Sequence, residues 1–372
     1  MRLSPTLIGL RTYPFVRLTE ARRRLEAEAI DVIDFGVGEP REETPPFIRA
    51  ALAEALTPLS SYPLAEGLAE LREAIAGWTR RRFGVALDPE TEVVPTLGSK
   101  EAVFHLAQVL GGEVVVVPQP AYPVYERGAV FAGKEVVELP LRADAGFLPD
   151  LDAVSADIWR RTAILWLNYP NNPTAATAPL GLYERAAALA REHDFVVASD
   201  EAYSELYFGP EPPASALQVA DRTNVAVFNT LSKRSSMPGY RSGFVAGDAE
   251  LVAALKRYRP NVGVAPQDFV QRAAAAAWGD EAHVDGVRDL YRAKREVLLP
   301  ALEARGLRHA GGDATFFLWL EAPPGEHERL LEHGLVLAPG EFFGPAGDGY
   351  LRLALVPPLA ACERAAGLLV GV

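Results

Sequence analysis

The chain has 372 residues, more than a single hydrophobic core usually organises, so two domains or one large α/β domain are expected. It carries 37 Lys and Arg against 49 Asp and Glu, a net charge of −12 without a basic tract, which disfavours nucleic-acid binding. The single cysteine, Cys362, excludes an intramolecular disulfide and a thiolate metal cluster. With no signal peptide and no membrane-length apolar stretch, we expect a cytoplasmic protein without a metal site or a membrane partner.

The first third of the chain mixes helical periods with one strand-like run. The pattern predicts helices at 16–29, 46–56, 68–82 and from 101 onwards, and strands at 30–35 and 93–97. The first of these strands ends in Gly36-Val37-Gly38-Glu39-Pro40, a turn-rich loop whose backbone can approach a ligand closely.

Short apolar strands then alternate with helices. Strands are predicted at 114–117, 136–139, 163–167, 195–198 and 225–228, and helices at 123–131 and 181–192. This alternation indicates a mostly parallel sheet covered on both faces, in which ligands bind beyond the carboxyl ends of the strands. After residue 247, helices are predicted at 249–258, 267–278 and 282–304, followed by strands at 315–320, 335–337 and 350–355 in a small α+β unit.

Three polar motifs lie where such a sheet would bind a ligand. Gly98-Ser99-Lys100 opens a helix after a strand, and backbone N–H groups at a helix start bind phosphate, although a serine there is also a common cap. The Asn-Pro turn at 168–174 and Asp200, within Ser199-Asp200-Glu201-Ala202-Tyr203, each follow an apolar strand. A polar surface loop is the simple alternative for both, but a buried carboxylate must be paired or protonated, and a pyridinium nitrogen would pair it.

The fourth motif is the stretch at 228–243, which contains Ser232-Lys233 and Arg241 between two apolar runs. We expect Lys233 on a loop held by the sheet, where partial burial lowers the pKa of an amine and allows it to form a Schiff base. A solvated loop lysine is the common alternative. Arg241, always charged, suits phosphate.

The order of these motifs resembles the fold-type I pyridoxal-phosphate enzymes, specifically the class I/II aminotransferases of the aspartate aminotransferase superfamily. Ser232-Lys233 with Gly239-Tyr240-Arg241-Ser242-Gly243 is similar to the family's Ser-Lys…Gly-x-Arg-x-Gly signature, and the resemblance covers essentially the whole chain. It implies a large domain at 41–285, with a mostly parallel seven-stranded sheet between helices, and a smaller α+β domain built from 1–40 and 286–372.

The resemblance also implies roles for individual residues, with pyridoxal 5′-phosphate as the cofactor. Lys233 would be the Schiff-base lysine and proton shuttle, and Asp200 would pair with the pyridine nitrogen, while Tyr203 and Asn172 would contact the phenolic oxygen. The residues implied for the phosphate and the ring are Gly98, Ser99, Lys100 through its backbone, Ser232 and Arg241, with Tyr122 stacked on the ring.

Three further residues are implied to act on the substrate or across a dimer. Arg352, in Tyr350-Leu351-Arg352-Leu353-Ala354, matches the arginine that clamps the substrate α-carboxylate, and Gly38 matches the loop glycine that closes over it, near Asn172. Tyr62 matches the tyrosine given to the partner's phosphate, which implies a homodimer with shared active sites.

Within the superfamily, the stretch 232–248, Tyr13-Pro14-Phe15 and Gly98-Ser99-Lys100 look most like N-succinyl-diaminopimelate aminotransferases of lysine biosynthesis. That resemblance implies ping-pong transfer from an amino acid such as glutamate to a 2-oxo acid. Ala175 stands where the family usually has Gly, and Ser236 where this group has Asn.

Other readings stay open or are disfavoured. A broad-specificity aspartate, alanine or aromatic aminotransferase, a carbon–sulfur β-lyase and a decarboxylase use the same scaffold. A metabolite-sensing DNA-binding regulator is disfavoured by the acidic charge and by the early start of the resemblance. A Rossmann dehydrogenase is disfavoured because no G-x-G-x-x-G follows the first strand.

Overall fold

The computed structural model describes residues 1–10, 13–59 and 61–370. The helices in these ranges are α1 Pro5–Gly9, α2 Phe15–Ala27, α3 Pro46–Glu54, α4 Ala69–Phe83, α5 Ser99–Val109, α6 Val124–Phe131, α7 Ala156–Arg161, α8 Leu180–His193, α9 Leu231–Arg234, α10 Ala249–Tyr258, α11 Asp268–Trp278, α12 Ala282–Ala304, α13 Glu326–Glu332 and α14 Leu359–Val370. The strands are β1 Ile33–Asp34, β2 Val93–Thr96, β3 Val114–Gln119, β4 Glu135–Pro140, β5 Thr162–Asn168, β6 Val196–Asp200, β7 Val225–Thr230, β8 Gly243–Gly247, β9 Arg308–His309, β10 Phe317–Glu321, β11 Leu335–Val336, β12 Ala338–Pro339 and β13 Tyr350–Ala354.

A seven-stranded sheet has the order β2-β8-β7-β6-β5-β3-β4. Strand β8 is antiparallel to both of its neighbours, and the other pairs are parallel. Strands β3, β5, β6 and β7 are buried along their whole length, because helices cover both faces of the sheet. The predicted α/β class with a mostly parallel sheet is therefore confirmed.

The remaining strands form two smaller sheets. Strands β12, β13, β10 and β9 make an antiparallel sheet in that order, and β1 pairs in parallel with β11. The first strand of the chain thus lies beside a strand from its last tenth. The division into domains at 41–285 and at 1–40 plus 286–372 stays a prediction.

The structure corrects three local expectations. The strand expected at 30–35 is reduced to Ile33–Asp34. The strand expected at 315–320 begins at Phe317, because Thr315 has a positive φ and its hydroxyl accepts from the Phe317 N–H at 2.9 Å. Lys233 lies on the one-turn helix α9 rather than on a loop, and the Thr230 hydroxyl caps that helix by accepting from the Ser232 N–H.

Long helix α12 connects the region after the large sheet to the small one. It buries Val284, Tyr291, Leu298 and Leu302 at helical spacing, so one apolar stripe packs inward along its length. Among the described residues, no helix has the length and apolarity needed to cross a membrane.

Candidate active site

The carboxyl ends of β5, β6 and β7 open into one cleft of about 270 Å³. The cleft brings together residues that are up to 339 positions apart in sequence, from Tyr13 to Arg352. The predicted site residues that line it are Gly38, Ser99, Lys100, Tyr122, Asn172, Asp200, Tyr203, Ser232, Lys233, Arg241 and Arg352. Gly98 lies directly beneath Arg241, since a Cβ placed on it would be 2.6 Å from Nη2 of that guanidinium.

Lys233 points into the cleft from helix α9. Its Nζ donates to the Gly38 carbonyl oxygen at 2.8 Å, and the rings of Phe316 and Tyr203 lie 5.3 and 5.8 Å away. Burial, assisted by the positive charge of Arg352, lowers the pKa of Lys233 to about 8. About a tenth of its amine is therefore neutral at pH 7, far more than for an ordinary lysine.

Asp200 ends strand β6 at the floor of the cleft. Its Oδ2 accepts from the Tyr125 hydroxyl at 2.8 Å and its Oδ1 from the Ala202 N–H at 3.2 Å. Burial raises the pKa of Asp200 to about 6, and the Tyr125 hydrogen bond partly opposes that rise. Such a carboxyl is suited to a cationic partner, which would restore its ordinary ionisation.

Two asparagines join the neighbouring strand ends. The Asn168 side chain donates to the Asp200 carbonyl oxygen at 2.8 Å and accepts from the Asn172 N–H at 2.9 Å. Asn168 therefore fixes the backbone at Asn172, whose side chain lines the cleft.

Arg352 enters from strand β13 and is 2% exposed. Its Nη1 donates to Asn172 Oδ1 at 2.9 Å and its Nη2 to the Gly36 carbonyl oxygen at 2.7 Å. The guanidinium lies 4.2 Å from the Phe317 ring centroid and 4.6 Å from that of Phe343. Burial lowers its pKa to about 10, and its Nε has no hydrogen-bond partner among the described residues.

The unpaired Nε matters because this buried guanidinium contacts aromatic rings and two neutral oxygen acceptors, and none of these contacts is anionic. A carboxylate would supply two acceptor oxygens in the planar geometry that an arginine prefers. Arg352 is therefore chemically suited to bind a substrate carboxylate.

The amino end of helix α5 forms the opposite wall. Gly98 has φ +68, and no side chain among the described residues caps the helix, so its first N–H groups are available to an anion. Arg241 donates to the carbonyl oxygens of Pro238 at 2.9 Å and Leu97 at 3.1 Å, which holds it over that helix start. The Ser232 hydroxyl also lies on this wall, held by a 2.9 Å hydrogen bond with the Thr230 hydroxyl. This set of donors fits a phosphate.

Nine of the described residues that line the cleft were not predicted as site residues. Four of them are large aromatic residues: Tyr13 and Phe15 from the chain start, Tyr125 beside Asp200, and Phe317 beside Arg352. The other five are Val37, Asn168, Ala202, Thr230 and Pro238. The Tyr13-Pro14-Phe15 run was noted only for its resemblance to one substrate group. No sequence signal identified Tyr125 or Phe317, because the Tyr125 hydrogen bond to Asp200 and the Phe317 contact with Arg352 join segments that only the fold brings together.

The turn after Lys233 is held from three sides. Arg234 donates to the Ala277 carbonyl oxygen at 3.1 Å and to Glu281 at 2.9 Å, with its guanidinium 4.7 Å from the Trp278 ring. The Ser236 carbonyl oxygen accepts from the Thr44 hydroxyl at 2.6 Å. These contacts hold the turn after the lysine in one conformation, although its residues do not take part in the chemistry.

Ser235 takes part in a hydrogen-bonded chain that resembles a hydrolase relay. Its hydroxyl lies 2.8 Å from His283 Nε2, and His283 Nδ1 lies 2.6 Å from Asp280 Oδ1. Ser235 is 0% exposed, so no substrate can reach its oxygen. The chain therefore ties the lysine turn to the start of α12 instead of forming a nucleophile.

Tyr62 is placed away from the cleft. Its side chain is 99% exposed, and Leu56, Leu59 and Leu64 nearby in sequence are also exposed. Its predicted role requires a second copy of the chain and stays a prediction.

A family model for aminotransferase class I and II matches residues 30–369. The chain belongs to the class I and II aminotransferases. Members of this family use pyridoxal 5′-phosphate, so the protein is a pyridoxal-phosphate-dependent aminotransferase.

Three similar proteins illustrate the relationship. An LL-diaminopimelate aminotransferase of Aquifex aeolicus is 42% identical, with 97% of each chain covered. A solved aminotransferase of Neisseria meningitidis has a TM-score of 0.92 and 37% identity over 99% of both chains. A structure described as a probable N-succinyldiaminopimelate aminotransferase of Thermus thermophilus has a TM-score of 0.88 and 34% identity, covering 96% of this chain and 99% of that one.

The residues present fit this cofactor. Arg241 and the uncapped helix start offer donors to a phosphate, the acidic Asp200 offers an anion to a ring nitrogen, and Lys233 offers an amine between them. When bound, the cofactor supplies an electron-withdrawing ring that stabilises negative charge at the substrate Cα.

Proposed function

We propose that the protein transfers an amino group between glutamate and a 2-oxo acid of lysine biosynthesis, with LL-diaminopimelate as the principal substrate. The observation that carries this substrate is the 42% identity over 97% of both chains to a protein named LL-diaminopimelate aminotransferase. The chemistry of the cleft supports it independently.

Lys233 would perform the central proton transfer. Its Nζ would hold the cofactor and would accept the proton from the substrate Cα once its amine is free. This step needs the neutral amine, and the lowered pKa of about 8 supplies it. Asp200 would keep a proton on the ring nitrogen, while Tyr203 and Asn172 would hold the phenolic oxygen.

Arg352 would bind the substrate α-carboxylate through its Nε and one Nη. The carboxylate would supply the acceptor that Nε lacks among the described residues. The Gly36 carbonyl oxygen and Asn172 Oδ1 each accept from one Nη atom, so the guanidinium is already oriented before a substrate binds. Preorganisation of this kind positions the Cα proton relative to Lys233 Nζ.

The Lys100 ammonium is a second cation near the substrate side of the cleft, in addition to Arg352, and it favours a substrate with a second carboxylate. Lys100 also lines the cleft, and its Nζ lies 5.2 Å from the Tyr13 ring centroid. The Tyr13 ring lies 5.6 Å from the Phe15 ring, which in turn lies 5.3 Å from the Arg352 guanidinium. If the backbone of Lys100 binds phosphate, its side chain remains available to a distal carboxylate, as found on glutamate and on diaminopimelate.

N-succinyl-LL-diaminopimelate is the second candidate substrate. It is favoured by the sequence motifs around Lys233 and by the 34% identity to a Thermus thermophilus protein described as a probable N-succinyldiaminopimelate aminotransferase. Both candidates share the α-carboxylate and differ in whether the distal amine is free or acylated.

A panel of amino donors with 2-oxoglutarate as the acceptor tests the proposal. We expect kcat/KM for LL-diaminopimelate to exceed that for aspartate, alanine and phenylalanine by at least about tenfold, a difference typical of one added polar contact. A higher value for the N-succinyl compound would replace the first candidate with the second. Pyruvate and ammonia released from a cysteine thioether without an acceptor would identify a β-lyase.

We propose further that the active species is a homodimer with shared sites. Exposed Tyr62 cannot serve its own cleft in the described arrangement, and exposed Leu59 and Leu64 flank it in sequence. A second copy could bury these side chains and receive Tyr62 at its phosphate.

Subunit complementation tests the shared site. Lys233→Ala and Tyr62→Ala proteins should each have low activity, whereas a mixture refolded together should regain about a quarter of the wild-type activity. Half of randomly formed dimers would be mixed, and each mixed dimer would contain one intact site. A fully active monomer at sedimentation equilibrium, or activity in the mixture no greater than the average of the two variants, would contradict the proposal.

A further inference from the structure

Residues 36–44, called the crossing loop here, connect the two parts of the molecule that face each other across the cleft. The loop starts after β1, which pairs with β11, and it ends before α3, which packs against α11. It therefore runs from the small sheets to the helices beside the large sheet.

Two carbonyl groups of the crossing loop contact the two principal cations of the site. The Gly36 carbonyl accepts from Arg352 Nη2 at 2.7 Å, and the Gly38 carbonyl accepts from Lys233 Nζ at 2.8 Å. Any larger residue in place of Gly38 would shift the loop or the Phe317 ring, because its Cβ would lie 2.8 Å from that ring. The position of the loop backbone thus sets the position of both cations.

The ends of the crossing loop are tied to their own sides of the molecule. Within the loop, Arg41 folds back to Asp34, the last residue of β1, with an Nη2–Oδ2 distance of 3.2 Å. At its end, Thr44 donates to the Ser236 carbonyl oxygen in the turn after the lysine. Neither contact reaches helix α12.

Glu42 makes the contact that reaches α12. Its carboxylate forms an ion pair and hydrogen bond with the ammonium of Lys294. The Lys294 side chain is 0% exposed, Glu42 is 24% exposed, and the ammonium also lies 5.1 Å from the Tyr291 ring. A buried ammonium needs its anion, so this pair fixes Glu42 in one place much more strongly than a surface pair would.

We propose that Lys294 is a positioning residue, which acts through Glu42 to hold the crossing loop so that the Gly36 and Gly38 carbonyls orient Arg352 and Lys233. This inference rests on the proposed roles of those two cations in amino transfer. Lys294 is not among the described residues that line the cleft.

The test compares Lys294→Met with Arg305→Met. Methionine replaces the lysine with an uncharged chain of similar length and leaves the partly exposed carboxylate of Glu42 free to bind water. Arg305 forms a largely buried ion pair with Glu326 within the C-terminal part of the chain, away from the crossing loop, and serves as the control. Hydrogen–deuterium exchange of the peptide covering 36–44 gives a readout that does not require activity.

Lys294→Met should raise KM for the amino donor about tenfold and change kcat less than about threefold, the pattern expected when binding geometry is loosened. Exchange in the 36–44 peptide should increase in Lys294→Met and stay at the wild-type level in Arg305→Met. Unchanged KM and unchanged exchange in Lys294→Met would overturn the proposal, as would equal changes in the two variants.

A second substitution guards against a folding defect. Glu42→Gln, on the partly exposed side of the pair, should give a smaller rise in KM, and the double variant Glu42→Gln/Lys294→Met should have the same KM as Lys294→Met alone. Additive effects would show that the two residues act separately and would contradict the proposal. If the wild type does not transfer amino groups, the proposed function fails, yet the exchange comparison still decides whether Lys294 holds the loop.

Discussion

The side of the cleft proposed to hold the cofactor and the side proposed to hold the substrate, called the cofactor side and the substrate side, are built from different parts of the chain. Asp200, Asn168 and Lys233 lie at the ends of adjacent buried strands or on the first turn after one. Arg352, Phe15 and the crossing loop come from the two ends of the chain and from a loop between them. One side is a rigid platform, and the other is assembled by long-range contacts.

The two sides also use different forces. Asn168 is fixed by a hydrogen bond to the Asp200 carbonyl oxygen on the neighbouring strand, and the Asp200 carboxylate by the Tyr125 hydroxyl on helix α6. Arg352 is held by one side-chain amide, one loop carbonyl and three aromatic rings. Substitutions on the cofactor side should therefore affect cofactor binding and chemistry, and those on the substrate side should affect substrate binding.

Replacing Lys233 should produce the largest effect. Lys233→Ala should lower the rate of amino transfer by about 10⁴-fold, because the proton acceptor and the covalent attachment are both lost. Borohydride should attach the cofactor to residue 233 of the wild type and to no residue of the variant. The partly exposed lysine variant Lys256→Ala is the control, and equal labelling of both variants would show that another lysine binds the cofactor.

Replacing Arg352 should be the largest effect on the substrate side. Arg352→Ala should lower kcat/KM for α-carboxylate substrates by about 100-fold, the usual cost of removing one member of a buried charged contact. Arg352→Lys should recover little, since an ammonium cannot form the two parallel bonds. Cofactor affinity, measured by fluorescence titration, should stay near the wild-type value, and an equal loss of both affinities would break the division into two sides.

A matched pair of smaller changes sharpens that division. Tyr125→Phe removes the hydroxyl that donates to Asp200 and should weaken cofactor binding about tenfold, as for a hydrogen bond to a charged group. Phe15→Leu, beside Arg352, should raise KM for the amino donor and leave cofactor affinity unchanged. The reverse assignment of these two effects would contradict the account.

The lowered pKa of Lys233 predicts that cofactor uptake depends on pH and that Arg352, on the substrate side, influences this dependence. The rate at which the cofactor-free protein takes up pyridoxal phosphate should rise through a pH near 8, because only the neutral amine reacts. The positive charge of Arg352 disfavours the Lys233 ammonium. Its removal in Arg352→Met should therefore raise the Lys233 pKa and move the midpoint to higher pH. A midpoint unchanged in Arg352→Met would show that the two cations do not interact.

The smallest expected effect concerns the turn beneath the cofactor side. Ala175 has φ +60 and is fully buried. Ala175→Gly would relieve a left-handed conformation costing about 1–2 kcal/mol, but it would also lose a buried methyl and gain freedom in the unfolded chain. The free energy of unfolding should change by less than about 1 kcal/mol, measured by urea denaturation. A loss above about 2 kcal/mol would show that the methyl group is packed better than this account allows.

Most of the cofactor side was predictable because its main residues follow recognisable strands, whereas Tyr125 on helix α6 was not predicted. Lys233, Asp200 and the Gly98 helix start could be placed from short apolar runs and their polar ends. The local mistake was to expect Lys233 on a loop, because the Thr230 cap that makes it helical depends on where β7 ends. The overall α/β class followed from the same alternation of strands and helices.

The substrate side was predictable only in part, and through family resemblance. Arg352 was found from its motif, whereas the rings of Phe15, Phe317 and Phe343 around it were missed. Lys294, far along the chain from Glu42, gave no signal at all, since an ion pair across 252 positions leaves no local pattern. Contacts between distant segments depend on the tertiary fold, which local propensity does not encode.

The most direct test of the central claim is a single half-reaction. The cofactor-loaded protein is mixed with LL-diaminopimelate without any 2-oxo acid acceptor, and the oxo product formed per active site is measured. We predict one equivalent per site for the wild type and none for Lys233→Ala, with turnover beginning only when 2-oxoglutarate is added. Continuous product formation without an acceptor, or no product before the acceptor is added, would contradict amino transfer through this cleft.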